Sequence, residues 1–294
     1  NELTLPFDKK AGYNELVGKK DRAGYSYLSF QDSLNLIIPI KFWFSKNIGL
    51  AIPIVALTKH NIKINIMWEK FKRLWIANKA GVKPEKPSFK ASLLIDFIYL
   101  DVQERQKFAK ENHIYLIEQI QFNNSTYFDK NVHNPNFKLE LYHPTKELIW
   151  VCQRTDVLKR DDTDDCNVIY GNDHFNYSRS TSFDTTEDFF ENATLQINNM
   201  ERFRSLPAKY FRLYHPLLYH TKCPNNFVYC YSFSLKPEEH QPTGTCNFSN
   251  FDNTTLKLDM SNKTNESNYT IKLFAINYNL LIITEGMGGL AFSC

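Results

Sequence analysis

Short apolar runs closed by turn residues recur along the whole chain, and the cleanest of them change polarity at every step. In "FKLELY" (137–142) Phe137, Leu139 and Leu141 share one face, and in "NIKINIMW" (61–68) Ile62, Ile64 and Ile66 do the same. That is the period of a half-buried strand. "LNLIIPIKFWF" (34–44) and "LAIPIVAL" (50–57) are apolar almost throughout, the pattern of strands covered on both faces. Strands are also predicted in "ASLLIDFIYLDV" (91–102), "HIYLIEQIQF" (113–122), "KELIWVCQ" (146–153), "NATLQIN" (192–198), "FVYCYSFSL" (227–235), "TTLKLDM" (254–260) and "YTIKLFAINYNLLIITEG" (269–286). So many short strands, with only "QERQKFAKE" (103–111) as a clear helix candidate, describe an all-β sandwich, barrel or jelly roll. With 23 Phe and 16 Tyr against 10 Gly, composition favours the same class, and 294 residues suffice for one large or two ordinary domains.

The stretch "FWFSKNIGLAIPIVAL" (42–57) holds a single charge, Lys46. Its Ser, Asn and Gly suit a tight turn, so two strands joined by "SKNIG" and buried in a sheet are predicted. Residues 1–35 read as loop with a helical turn, and "KAGVKPEKPSFK" (79–90) as loop. The polar stretch 154–190 reads as a long surface loop.

Charge divides the chain. Residues 1–110 carry 19 Lys and Arg against 10 Asp and Glu, a net +9, and residues 111–294 carry 16 against 22, a net −6. The ordinary reading is solvated surface; the other is a dipole that steers assembly or sets the basic part against anionic lipid or nucleic acid. All six cysteines (Cys152, Cys166, Cys223, Cys230, Cys246, Cys294) fall in the second half, without CxxC or Cys/His zinc spacing, so no metal site is expected and thiols are as acceptable as bridges. The longest apolar runs are broken by Pro39, Lys41 or Asp96, short of a membrane span.

Catalytic and cofactor motifs are not expected either. "GMGG" (286–289) lacks the Lys and the strand-to-helix setting of a phosphate loop and reads as a sheet edge. "DDTDD" (161–165) lacks the Gly and closing Glu of a calcium loop. His143, His215 and His220 have no nucleophile motif beside them; two of them precede Pro, as turn histidines bonded to backbone do. "WEKFKRLW" (68–75) mixes bases and aromatics but reads as an amphipathic segment beside a sheet rather than a specific nucleic-acid groove. Asn-X-Ser/Thr sequons begin at Asn123, Asn124, Asn176, Asn192, Asn247, Asn253, Asn262, Asn265 and Asn268; Asn253, Asn262 and Asn268 are the glycosylation candidates.

Six segments in order carry a family resemblance: "IPIKFWFSKNIGLAIPIVAL" (38–57), "IDFIYLDVQERQKFA" (95–109), "YLIEQIQF" (115–122), "HPTKELIW" (143–150), "YSFSLKPEEHQPTGTCNFSNFDNTTLKL" (231–258) and "INYNLLIITEGMGGLAFS" (276–293). They resemble the major capsid proteins of the nucleocytoplasmic large DNA viruses, chlorella-virus and mimivirus-like members above all. The resemblance implies a double jelly roll, two eight-stranded antiparallel sandwiches. Residues 1–105 would be the end of a first roll, incomplete at the N-terminus, with the start of the connector, and 111–294 a second roll. It further implies homotrimeric capsomers that tile an icosahedral virion shell assembled in the host cytoplasm. Neighbouring capsomers, minor capsid proteins and an internal membrane on the inner face would be the partners, with long loops outward, for which 154–190 and 247–270 are the candidates. A minor capsid or penton-type single roll, or a carbohydrate-binding jelly roll without catalysis, are the alternatives.

Overall fold

The computed structural model describes residues 3–18, 35–70, 88–157, 175–180, 187–224, 226–260 and 267–292. All of its described strands lie beyond residue 112: β1 (His113–Phe128), β2 (Asn136–Lys138), β3 (Pro144–Arg154), β4 (Asn192–Ile197), β5 (Met200–Pro207), β6 (Tyr229–Ser232), β7 (Cys246–Asn247), β8 (Thr254–Asp259), β9 (Tyr269–Thr284) and β10 (Met287–Leu290). They form two antiparallel sheets. One has the order β1-β9-β3-β6, with β7 added beside β3 and β10 beside β9; the other is β2-β8-β4-β5. Without the two short additions, eight strands remain, four to a sheet. The first then lies with the eighth, third and sixth, and the second with the seventh, fourth and fifth, which is the winding of a jelly roll.

The core lies between the sheets. In β8 the pattern "TTLKLD" buries every second residue, and β9 does the same from Tyr269 to Asn277. Phe137, Leu148, Trp150, Leu195, Leu256, Tyr269, Ile271 and Leu273 meet there. Trp150 sits edge-on to Phe211 at 5.1 Å and stacks on Tyr229 at 6.0 Å. Burying each such side chain contributes about 1.5–3 kcal/mol.

Two positions depart from the regular ladder. Between Asn123 and Thr126 β1 slips its register on β9, and between Thr145 and Glu147 β3 does the same. The second is a bulge that leaves Lys146 unpaired in the ladder, so that Lys146 and Glu147 project from one face of the sheet. At the far end, Glu285 (φ 51°) and Gly286 (φ 83°) make the two-residue turn between β9 and β10. Positive φ at both central residues is what a hairpin of this length requires, and the second falls on glycine.

Before residue 112 the expectation of strands is not met. "FWFSKNIGLAIPIVAL" forms three 3₁₀ turns, Trp43–Ser45, Ile48–Leu50 and Ile54–Ala56. The described parts of 35–70 and 88–100 are otherwise extended without a ladder, and Ile37, Ile38, Leu94, Phe97 and Tyr99 are exposed rather than buried. An apolar, β-branched run becomes a strand only when another strand takes its N–H and C=O groups, and among the described residues only isolated contacts such as Ile37 N to Leu16 O at 2.9 Å replace such a ladder. Residues 71–75 of "WEKFKRLW", the acidic run 161–165 and most of 154–190 lie outside the described residues. What is described of that stretch corrects the surface-loop expectation: Phe189 and Phe190 are core residues. Among the described residues of the first part, α1 (Phe7–Leu16) and α2 (Val102–Lys110) are the α-helices, the latter capped by Asp101, whose Oδ1 accepts from Glu104 N at 2.8 Å. "GMGGLAFSC" contributes an added strand, β10, at the sheet end.

Candidate functional site

Where the first part meets the roll, Lys46, the lone charge of 42–57, finds its partner. β1 is an edge strand, and the turn Trp43–Ser45 lies beside it, with the Trp43 ring 6.2 Å from that of Tyr115. Lys46 Nζ donates to Glu118 Oε2, and Lys146 Nζ donates to Glu118 Oε1 at 2.5 Å. Lys146 lies 5.4 Å from the centre of the Tyr278 ring. Both Lys146 and Glu118 are almost wholly removed from water, whereas Lys46 is half exposed. Burial alone would raise the Glu118 pKa, but the two ammonium groups outweigh it and hold the carboxyl below its ordinary range. Lys146 is shifted down because burial, with the like charge of Lys46, outweighs Glu118 and Glu147.

The β9–β10 hairpin is the second clasp. Lys59 N donates to Gly286 O at 2.9 Å, and Gly288 N to His60 Nδ1 at 3.1 Å. A Cβ at Gly286 would run into Thr58 Oγ1, and one at Gly288 would lie 3.2 Å from Leu57. The glycine run therefore serves close approach between the two parts of the chain.

The glycosylation candidates separate. Asn253 is exposed at the foot of β8, its backbone N–H donating to Asn198 Oδ1 at 3.2 Å. Asn268 is half-buried: its Oδ1 accepts from Lys130 N at 2.9 Å and its Nδ2 donates to the Tyr127 hydroxyl, so the nitrogen that would carry a sugar is already engaged. Asn262 lies outside the described residues. Asn123 and Asn176 are buried; the Asn123 amide bridges Lys138 O (3.1 Å) and Glu140 N (2.8 Å).

The histidines do not gather into a triad. His143 precedes β3 with φ 65°, the turn role its sequence setting predicts. His215 begins α3 (His215–Tyr219), and its Nε2 accepts from Ser232 N at 2.6 Å, tying off the exposed edge of β6. Burial, with the nearby His220, pushes its pKa down to about 4. Cys152, Cys223, Cys230 and Cys246 are free thiols; burial drives Cys152 and Cys230 far above the range of a reactive thiolate. Asp188 takes Arg212 in a two-pronged pair at 2.8 and 3.0 Å and accepts from the Tyr229 hydroxyl, an internal brace behind the core aromatics.

The roll and the first part of the chain are thus joined by the Lys46–Glu118 pair and by close contacts at the glycines of the β9–β10 hairpin. Two family profiles match the chain: "Large eukaryotic DNA virus major capsid protein" over residues 104–289 and "Major capsid protein N-terminus" over residues 1–101. The major capsid protein of Pyramimonas orientalis virus is 36% identical over 317 residues, covering 100% of this chain and 70% of its own length. That of Paramecium bursaria Chlorella virus 1 is 29% identical over 316 residues, covering 95% of this chain and 68% of its own. Among solved structures, PBCV-1 VP54, fitted into a reconstruction of the virophage Sputnik, superimposes with a TM-score of 0.68 at 23% identity over 100% of this chain and 78% of that one. The chain belongs to the major capsid protein family of the large eukaryotic DNA viruses. It shares the double jelly-roll fold of these capsid proteins, the described strands forming one of the rolls, and is a structural protein of the virion capsid of a large icosahedral DNA virus.

Proposed function

We propose that three copies of this chain associate into a capsomer of six-fold outline that fills a hexagonal lattice position. Residues 1–105 would contribute to one roll and the connector, and residues 111–294 would form the other. The boundary rests on α2, which spans the gap where one family profile ends and the next begins. The observation that carries self-association is the apolar character of an ordered, outward sheet face. Ile120 and Phe122 on β1 are 71% and 50% exposed, and Leu217 and Leu218 on α3 are 70% and 55% exposed. Side chains of this kind on rigid elements mark protein contacts, and in a capsid protein the commonest neighbour is another copy. The role read here is structural rather than catalytic, and the buried thiols of Cys152 and Cys230, held protonated by burial, are in keeping with it. Minor capsid proteins and an internal membrane at the inner face, assembly in the host cytoplasm, and a sugar on exposed Asn253 belong to the same reading. Static light scattering at two concentrations tests it. Three times the 34.5 kDa of this chain is the expected mass; a persistent monomer would contradict the capsomer.

A further inference from the structure

We propose that Glu147, His220 and Cys230 form a structural binding site for a divalent cation of zinc-like chemistry, independent of how the copies of the chain assemble. The three residues offer one carboxylate oxygen, one imidazole nitrogen and one sulfur, all within 4.8 Å of one another. The fold brings them together by three routes. The β3 bulge turns Glu147 to the sheet face away from the core; the β3–β6 register sets Cys230 opposite Ile149, two residues along the same face; and His220 closes α3 over them. All three side chains are shut off from water.

The polar atoms aimed into this space are not satisfied by one another. Glu147 Oε1 and His220 Nε2 are 2.7 Å apart, yet neither makes a directed hydrogen bond, although both are buried. Leaving such atoms unmade costs about 1–3 kcal/mol each, more for charged ones, and an ion pair of poor geometry in the interior repays little of its desolvation. A cation held by both atoms would answer the two at once, with Cys230 Sγ, whose thiol now reaches Phe211 O at 3.6 Å, as its third ligand.

The neighbouring shell has the matching form. His220 Nδ1 lies 3.1 Å from Glu238 Oε1, and Glu238 is itself fixed by Thr221 N at 2.8 Å and by the Thr221 hydroxyl. A carboxylate behind the far ring nitrogen fixes the tautomer, keeps the proton on Nδ1 and turns the Nε2 lone pair toward the ligand position. One nitrogen, one oxygen and one sulfur favour zinc over magnesium or calcium, which take oxygen ligands. Around a four-coordinate zinc the donor atoms stand roughly 3.3–3.8 Å apart, from bond lengths of about 2.0–2.3 Å, so a small adjustment within the observed cluster suffices. Binding would displace the thiol proton of Cys230 and any proton on His220 Nε2. The dication, one carboxylate and one thiolate then sum to zero, which suits a buried site. Its effect would be to pin the edge strand β6 and the turn after α3 to β3.

The test is titration of the chelator-treated full chain with Co²⁺. The expected result is one equivalent bound per chain, with visible d–d bands, a near-ultraviolet thiolate-to-cobalt band, and displacement by Zn²⁺. Cys230→Ser should abolish the thiolate band, whereas Cys223→Ser should leave it. Glu238→Gln, one shell out, should weaken binding by about 10–100-fold. Absence of any cobalt spectrum in the folded wild type, together with a ring-nitrogen NMR signature of a doubly protonated His220, would overturn the proposal in favour of a plain His–Glu pair. A thiolate band that persists in Cys230→Ser would also overturn it. The wild-type spectrum decides the matter even if a variant folds poorly, and neither result bears on oligomer mass.

Discussion

Replacing Glu118 with Gln removes the anion that Lys146 and Lys46 share while keeping nearly the same shape. Lys146 is buried and the bulge leaves its side chain no route to solvent. Its ammonium would then lose its only direct carboxylate contact and keep Lys46, the Tyr278 ring and the more distant Glu147 around it. Stripping one partner from a buried pair costs about 3–5 kcal/mol, because the survivor is left charged and unpaired. At a urea dependence of about 2 kcal/mol/M, that lowers the unfolding midpoint by roughly 1.5–2.5 M. Lys46→Ala, whose side chain is 45% exposed, should cost no more than about 1 kcal/mol. The double variant Glu118→Gln/Lys146→Met should recover part of the loss, with a coupling of about 0.5–3 kcal/mol. Urea titrations followed by tryptophan fluorescence of wild type, Lys46→Ala, Glu118→Gln, Lys146→Met and the double variant supply all five midpoints. If Glu118→Gln unfolds within 1 kcal/mol of wild type, or Lys46→Ala costs as much as Glu118→Gln, the buried-triad reasoning is wrong.

Three further outcomes are expected. Because the folded-state pKa of Glu118 is depressed, its contribution is complete above the unfolded carboxylate value near 4.3 and is lost as pH falls from there through the folded pKa; the stability gap between wild type and Glu118→Gln should close over that window and stay constant above it. Gly286→Ala places a Cβ at φ 83° against Thr58 and should cost about 1–2 kcal/mol from the backbone alone, with faster proteolysis at 57–60 that Thr58→Ala partly reverses. Trp150→Ala, which empties the space between Phe211 and Tyr229, should cost about 3–5 kcal/mol in thermal or urea unfolding, whereas the exposed Leu217→Ala should be nearly neutral in stability and weaken only association.

The second roll was legible where burial alternates or runs continuously. β3, β4, β8 and β9 follow their apolar patterns because each is central in its sheet. β5 escaped notice because "MERFRSLP" is an edge strand whose side chains are mostly exposed, leaving no alternation to read. Residues 42–57 misled in the opposite sense: Ile and Val fit a pleated surface, but propensity cannot supply a hydrogen-bonding partner. The sites were hidden by distance along the chain. Lys46 and Glu118 are 72 residues apart, and Glu147, His220 and Cys230 share no motif spacing; they meet only because a bulge, a strand register and a short helix converge. Phe189 and Phe190, set in a polar acidic stretch, were obscured by their neighbours although both enter the core. The family resemblance was legible throughout, because it rests on ordered segments spread along the chain rather than on one site.

The most direct measurement is electron microscopy of the purified protein at neutral pH, with class averages computed without imposed symmetry. Particles with three-fold symmetry and a six-lobed outline are the expected result. Averages showing isolated one- or two-lobed particles at every concentration would contradict a chain built to tile a capsid as trimers.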